Sequence, residues 1–354
     1  MSPRPTTLRA PLAGITAALL LVTTTLGAQR TDPARVTSTG TANPATVGTV
    51  VVAHGGDSTW NAQVLEVARA ARTGGPVEVS FLMGKGAAAH RFQDAVAKLA
   101  QAGATRVVVV PMLVSSSSGH YDQVRWLAGE DVALDDVMTH HLHMAGITRP
   151  AGALPTTLTP AIDDAPELAR VLADRALAME PAPRGKALMI VGHGPETAEA
   201  YAAWMEKLRP IADSVRAMTG FRDVKLDLVR DDAPAPVRAE AVRRIRELIE
   251  LQAMATGQDV VVVPVLVSKG SVSRDKVPRD IAGTPSRYVG EPLLPHLAMA
   301  RWIERRVREA PVAAARTTTT QRATSQHTTH GTTQSATSPT AASRAAHAAH
   351  GTTP

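Results

Sequence analysis

Twice along the chain an apolar run stops at His-Gly: VGTVVVAHGG carries His54, and KALMIVGHGP carries His193. A third histidine, His120, follows VVVVPMLVSSSSG. A histidine at the carboxyl end of a strand, freed by the next glycine, points into the crevice where open α/β sheets take up ligands. Neutral imidazole in such a place can hold a borderline divalent metal or collect protons near neutral pH. The 354 residues contain no cysteine, which excludes thiolate metal sites, iron–sulfur clusters and cysteine nucleophiles. Ser115, Ser116, Ser117 and Ser118 do not form a nucleophile elbow, because no G-x-S-x-G occurs. A flexible loop whose hydroxyls and N–H groups bind a substrate carboxylate is the better expectation for them.

These residues need strands to carry them, and the strands recur. RVVVVPMLVSSSSGHY from Arg106 matches DVVVVPVLVSKGSVSR from Asp259 at an offset of 153, and His54 matches His193 at an offset of 139. Between each pair lies a further short run, VEVSFLM from Val77 and VKLDLVR from Val224. Runs that are Val-rich and apolar on both faces are expected of parallel strands covered by helices. Helical patterns fill the gaps, and Pro210 is expected to kink or divide the one from Glu196 to Gly220. The fold class is therefore α/β, with two tandem domains over 46–179 and 184–308. Each is a small parallel sheet flanked by helices, with the active-site cleft between them.

The strand-His-Gly start, the VVVVP strand and the Ser/Gly loop with His120 resemble the class II chelatases of tetrapyrrole biosynthesis, and in particular the double-length CbiX-type sirohydrochlorin cobaltochelatases. The similarity runs from Val47 to Arg308 and includes YVGEPLLPHLAMARWIERRV. It implies ATP-independent insertion of a divalent metal into a carboxylate-rich macrocycle. Cobalt is the first guess, with iron or nickel possible, and no organic cofactor is implied. It further implies that His54 and His120 hold the metal and accept pyrrole protons. The first half would be the active one, because His193 retains the first position while Ser273 stands where His120 would be. Family members often carry a metal-binding Glu where this chain has Met83. A thioether is a soft ligand better suited to Cu(I), and Asp57, Asp231 and Asp232 are the carboxylates that could replace that Glu.

Other features leave alternatives open. In THHLHM, which carries His140, His141 and His143, a fourth strand would place His141 and His143 on one face, lining substrate or delivering metal. His90 and His296, near helix starts, read as structural or surface groups. Lys269, Arg274, Lys276 and Arg279 either grip propionate and acetate groups or form a solvated basic loop. The net charge of +6 favours an acidic small molecule, and 3% aromatic residues are poor material for stacking on nucleic-acid bases. Residues 1–28 have the layout of a secretory signal peptide cleaved after Ala28, which implies export; left uncleaved, the segment would be the only membrane contact. Residues 313–354 read as a disordered Thr/Ala tail whose pairs His327/His330 and His347/His350 either bind metal weakly or are incidental. The rival to an enzyme is an exported metal- or tetrapyrrole-binding protein on the same fold.

Overall fold

Residues 46–152 and 154–311 are described by a computed structural model. The signal-like segment and the His-bearing tail lie outside the described residues. The first half runs β1 (Val47–Ala53), α1 (Ser58–Ala70), β2 (Val77–Phe81), α2 (Phe92–Gln101), β3 (Arg106–Met112), α3 (Gly119–Leu127), α4 (Asp136–Met144), β4 (Thr156–Leu158) and α5 (Pro166–Met179). The second runs β5 (Ala187–Gly192), α6 (Ala198–Thr219), β6 (Asp223–Leu228), α7 (Ala235–Thr256), β7 (Val260–Val265), α8 (Val277–Asp280), β8 (Ser286–Tyr288) and α9 (Leu297–Glu309). Two all-parallel sheets result, ordered β2-β1-β3-β4 and β6-β5-β7-β8.

Pairing registers fix the internal repeat. Ala53 lies opposite both Phe81 and Met112, and Gly192 lies opposite both Leu228 and Val265. His54 and His193 are therefore equivalent, as are His120 and Ser273. In each sheet the strand order reverses between the first and third strands of the half, where ligands of open α/β sheets bind. The loops carrying His54 and His120 leave one such switch point, and those carrying His193 and Ser273 leave the other.

The period-2 alternation of each strand sorts its side chains into separate cores. Val51, Ala53, Val108 and Val110 of the first sheet, with Leu188, Ile190, Val261 and Val263 of the second, belong to one continuous core between the sheets. Val50, Val52, Val107 and Val109 face outward under α2 and α3, while Met189, Val191, Val260 and Val262 face outward under α7. The middle layer is built by exchange. Helix α5, the last of the first half, packs on α6 and β7, whereas α9, the last of the second, packs on α1 and β3. The Arg305 guanidinium clasps the Glu167 carboxylate at 2.6 and 2.7 Å, tying the two helices together. The halves are thus interlocked and share one interior.

Two expectations are corrected. Pro210 does not divide helix α6, which continues through it with buried Trp204, Met205, Leu208, Ile211 and Val215 on either side, so packing outweighs the lost N–H. The THHLHM segment is helix α4, capped by Asp135 accepting from Met138 N and anchored by buried Leu142; the fourth strand is the later TTL at Thr156–Leu158. A three-residue edge strand gives almost no periodic signal, whereas three histidines in six residues drew the assignment to the wrong segment. No helix among the described residues is long and apolar enough to cross a membrane.

Candidate metal-binding site

His54 leaves the end of β1 with its carbonyl accepting from Met83 N at 2.9 Å. The next residue, Gly55, has φ +91°, and a Cβ there would lie 2.1 Å from the Met83 carbonyl oxygen, so only glycine can make this turn. The His54 Nδ1 lies 2.7 Å from the Gly55 carbonyl oxygen. That oxygen can only accept, so Nδ1 carries the proton and Nε2 keeps a free lone pair.

His120, in the first turn of α3, is oriented by a longer chain. Buried Gln123 donates through Nε2 to the Met138 carbonyl at 2.7 Å, leaving its Oε1 to accept from His120 Nδ1 at 2.9 Å. Again Nε2 is left as the lone pair. The two rings meet edge to face with centroids 4.6 Å apart. His141 of α4 stacks beside His120 at 6.0 Å, and its buried Nδ1 has no hydrogen-bond partner. Burial pushes the His54 imidazole below its ordinary range. Burial, helped by the neighbouring His54, lowers His120 to about 4. Two neutral imidazoles whose Nε2 atoms keep their lone pairs are good metal ligands, because protons compete weakly for them.

The serine loop is less free than expected. Ser115 Oγ accepts from Ser117 N, Ser118 Oγ caps α3 by accepting from Tyr121 N, and Ser116 N and Oγ both donate to Asp163 at 2.8 and 2.6 Å. Only the Ser117 hydroxyl is uncommitted, while its carbonyl accepts from Trp204 Nε1 of the second half at 2.8 Å. The loop is therefore a fixed platform that sets the position of His120, rather than a mobile set of donors.

The second half repeats the frame with different side chains. His193 Nδ1 lies 2.9 Å from the Gly194 carbonyl oxygen, as His54 does from Gly55. Ser273 does not serve as its counterpart across the crevice: it is buried, and its hydroxyl donates to the Gly270 carbonyl at 3.0 Å. His193 Nε2 faces Asp232 Oδ2 at 3.4 Å and Asp231 Oδ2 at 3.8 Å instead. Asp57 is committed elsewhere, capping α1 and pairing with Arg274 at 3.2 Å. Lys269 pairs with Glu291 at 2.9 Å, and Lys276 with Asp231. Lys269 and Arg274 line an open concavity of about 430 Å³ beside Tyr288, so the basic loop does border a hollow, though with its cations paired. Met83 is half-buried and joins His54 through its backbone. His140 and His143 are exposed, His90 packs edge-on against Phe81, and His296 caps α9.

Sequence reasoning passed over Gln123 and Asp163, which hold the site without bearing its chemistry. The i, i+3 spacing of His120 and Gln123 on one helix was the available signal for the first. Asp163 comes from 47 residues beyond Ser116 in the chain, and nothing local marks it.

This pair of interlocked parallel sheets, with imidazoles at their switch points, is a chelatase-type architecture. SirB from Bacillus subtilis with Fe3+ superposes with a TM-score of 0.52 at 17% identity, over 75% of this chain and 95% of that one. SirB from Bacillus subtilis subspecies spizizenii in complex with cobalt gives 0.48 at 14%, over 75% and 94%. A CbiX described as the terminal enzyme for siroheme biosynthesis in denitrifying bacteria gives 0.46 at 17%, over 75% and 100%. Curated protein sequences gave no match. The sequence profile of the CbiX family matches twice, over residues 48–178 and 187–310, and the chain belongs to that family.

Proposed function

We propose that the chain inserts a divalent metal, without ATP, into sirohydrochlorin or a related carboxylate-bearing tetrapyrrole, with His54 and His120 as the working pair. The observation that carries this is their geometry: rings 4.6 Å apart, both Nδ1 atoms tied down as donors, both Nε2 lone pairs free. Insertion exchanges one M2+ for two pyrrole protons. The imidazoles hold the ion while the macrocycle's nitrogens approach, and each Nε2 that gives up the ion can take a proton at the same atom. With burial lowering it to about 4, His120 favours the neutral form that binds a metal ion. His141, stacked beside His120 with an unpartnered Nδ1, is a further donor.

Cobalt is the first metal to test, then iron and nickel; imidazole suits all three. Export, read from residues 1–28, would place the reaction outside the cytoplasm. Met83 at a position where a carboxylate would favour such ions supports the second reading, an exported binding protein without turnover. The test is to mix purified protein with sirohydrochlorin and Co2+, Ni2+ or Fe2+ and follow the absorption spectrum. Insertion faster than the protein-free blank is expected; spectral binding without insertion would favour the second reading.

A further inference from the structure

His193 occupies the place of His54 but looks at carboxylates. Its Nδ1 proton is fixed on Gly194, so Nε2 directs a lone pair toward Asp232 at 3.4 Å and Asp231 at 3.8 Å. One ligand atom from each of the three residues lies within 4.8 Å of the others. Ligand atoms at these separations could share one ion at about 2.0–2.2 Å from nitrogen and oxygen; because Asp231 Oδ2 also accepts from Lys276, His193 and Asp232 would carry most of the binding.

The two carboxylates are not alike. Asp231 is 2% exposed and already balanced by Lys276 and by Arg238 at 3.1 Å. Asp232 is 62% exposed and, among the described residues, forms no ion pair except with His193. The group thus offers one imidazole, one free carboxylate, one neutralised carboxylate and an open side to water. Such a set captures an aquated divalent ion and releases it readily.

Local backbone shows that the arrangement is specific to this half. In the first half Met83, two residues past β2, donates to the His54 carbonyl. In the second, Asp231, three residues past β6, donates to the His193 carbonyl. The extra residue is Arg230, held at φ +53°, a costly conformation for a side chain of that size. Its guanidinium is tied to the Pro195 and Glu196 carbonyls. This one-residue bulge brings the adjacent carboxylates opposite the imidazole. The charge of Asp232 also reaches His54 and His120, favouring their positive forms against the larger effect of burial.

We propose that His193, Asp232 and Asp231 form a second divalent-metal site, which takes up aquated Co2+, Ni2+ or Fe2+ and passes it to His54 and His120. The hand-over rests on the insertion reading; the binding of metal does not.

The test is a Co2+ titration of the full chain, by visible absorption and calorimetry, in the His54→Ala/His120→Ala double variant. That protein should keep a Co2+ site which weakens at least ~10-fold on adding Asp232→Asn or His193→Ala, and which Asp232→Glu largely retains. Matching thermal midpoints confirm that the variants fold, and the tail histidines contribute equally to all of them. In the otherwise unaltered chain, Asp232→Asn should raise the Co2+ concentration for half-maximal insertion about 10-fold. Unchanged Co2+ affinity in Asp232→Asn and His193→Ala would overturn the proposal and leave the trio an ordinary ion pair. If the double variant binds Co2+ as described while the native chain inserts no metal, the site stands and the insertion reading falls.

Discussion

The two halves share a backbone and differ in what they hang on it. The first presents imidazoles only, with His54 and His120 in contact and His141 behind. The second keeps one imidazole, buries Ser273 in its own loop and brings up two carboxylates through the Arg230 bulge. Burial makes the first site unfavourable for protons and receptive to a desolvated metal, while the second stays wetter and more anionic. Duplication thus supplied two switch points, and divergence of a few side chains gave them different donor sets, which on the proposed reading would separate holding an ion from collecting one.

The sharpest way to break this comparison is to remove an imidazole from the first half. His120→Ala should lose ~10²- to 10⁴-fold in insertion rate at saturating metal, measured from the initial change in absorption. Gln123→Leu should lose ~10- to 100-fold, because His120 keeps its place but not its tautomer or aim; a rate equal to the native one would show that the Gln123–Met138 link is irrelevant.

The interlocked helices make a different prediction. Trp302 of α9 is fully buried in the core between the sheets, so Trp302→Ala should cost ~3–5 kcal/mol and lower a single unfolding transition. Two resolved calorimetric transitions, only one of them shifted, would mean that the halves fold separately.

Protons provide a subtler probe. The folded-state His120 lies at about 4 and His54 is also lowered, against an ordinary 6.5, so the unfolded chain binds protons more readily. Their contribution to stability is present above pH 6.5 and lost as pH falls toward 4. The thermal midpoint should fall through that window, less steeply in His120→Phe; identical slopes would contradict a desolvated His120. The smallest effect expected is from the tail: deleting residues 317–354 should leave the thermal midpoint unchanged and reduce only weakly bound Ni2+ in calorimetric titration.

The repeat, the parallel sheets and the two His-Gly turns were legible because strand ends, glycines and Val-rich runs are local signals. The pairing of His54 with His120 was implied by the resemblance to the class II chelatases, and the two rings do meet in the structure. The role of α4 was not legible, since Leu142 alone anchors it and its histidines imitate a strand face. Nor was the placement of Asp232, which depends on one left-handed residue that no periodicity announces. The exchange of α5 and α9 escaped for a related reason: amphipathic helices declare a buried face but not which sheet they cover.

The most direct measurement sets the equivalent histidines side by side: initial rates of Co2+ insertion into sirohydrochlorin at saturating metal for the native chain, His54→Ala and His193→Ala. The account predicts that His54→Ala falls by at least ~10²-fold while His193→Ala stays within about 10-fold of native. Equal losses would contradict it, and would mean that both halves hold the ion during the chemical step.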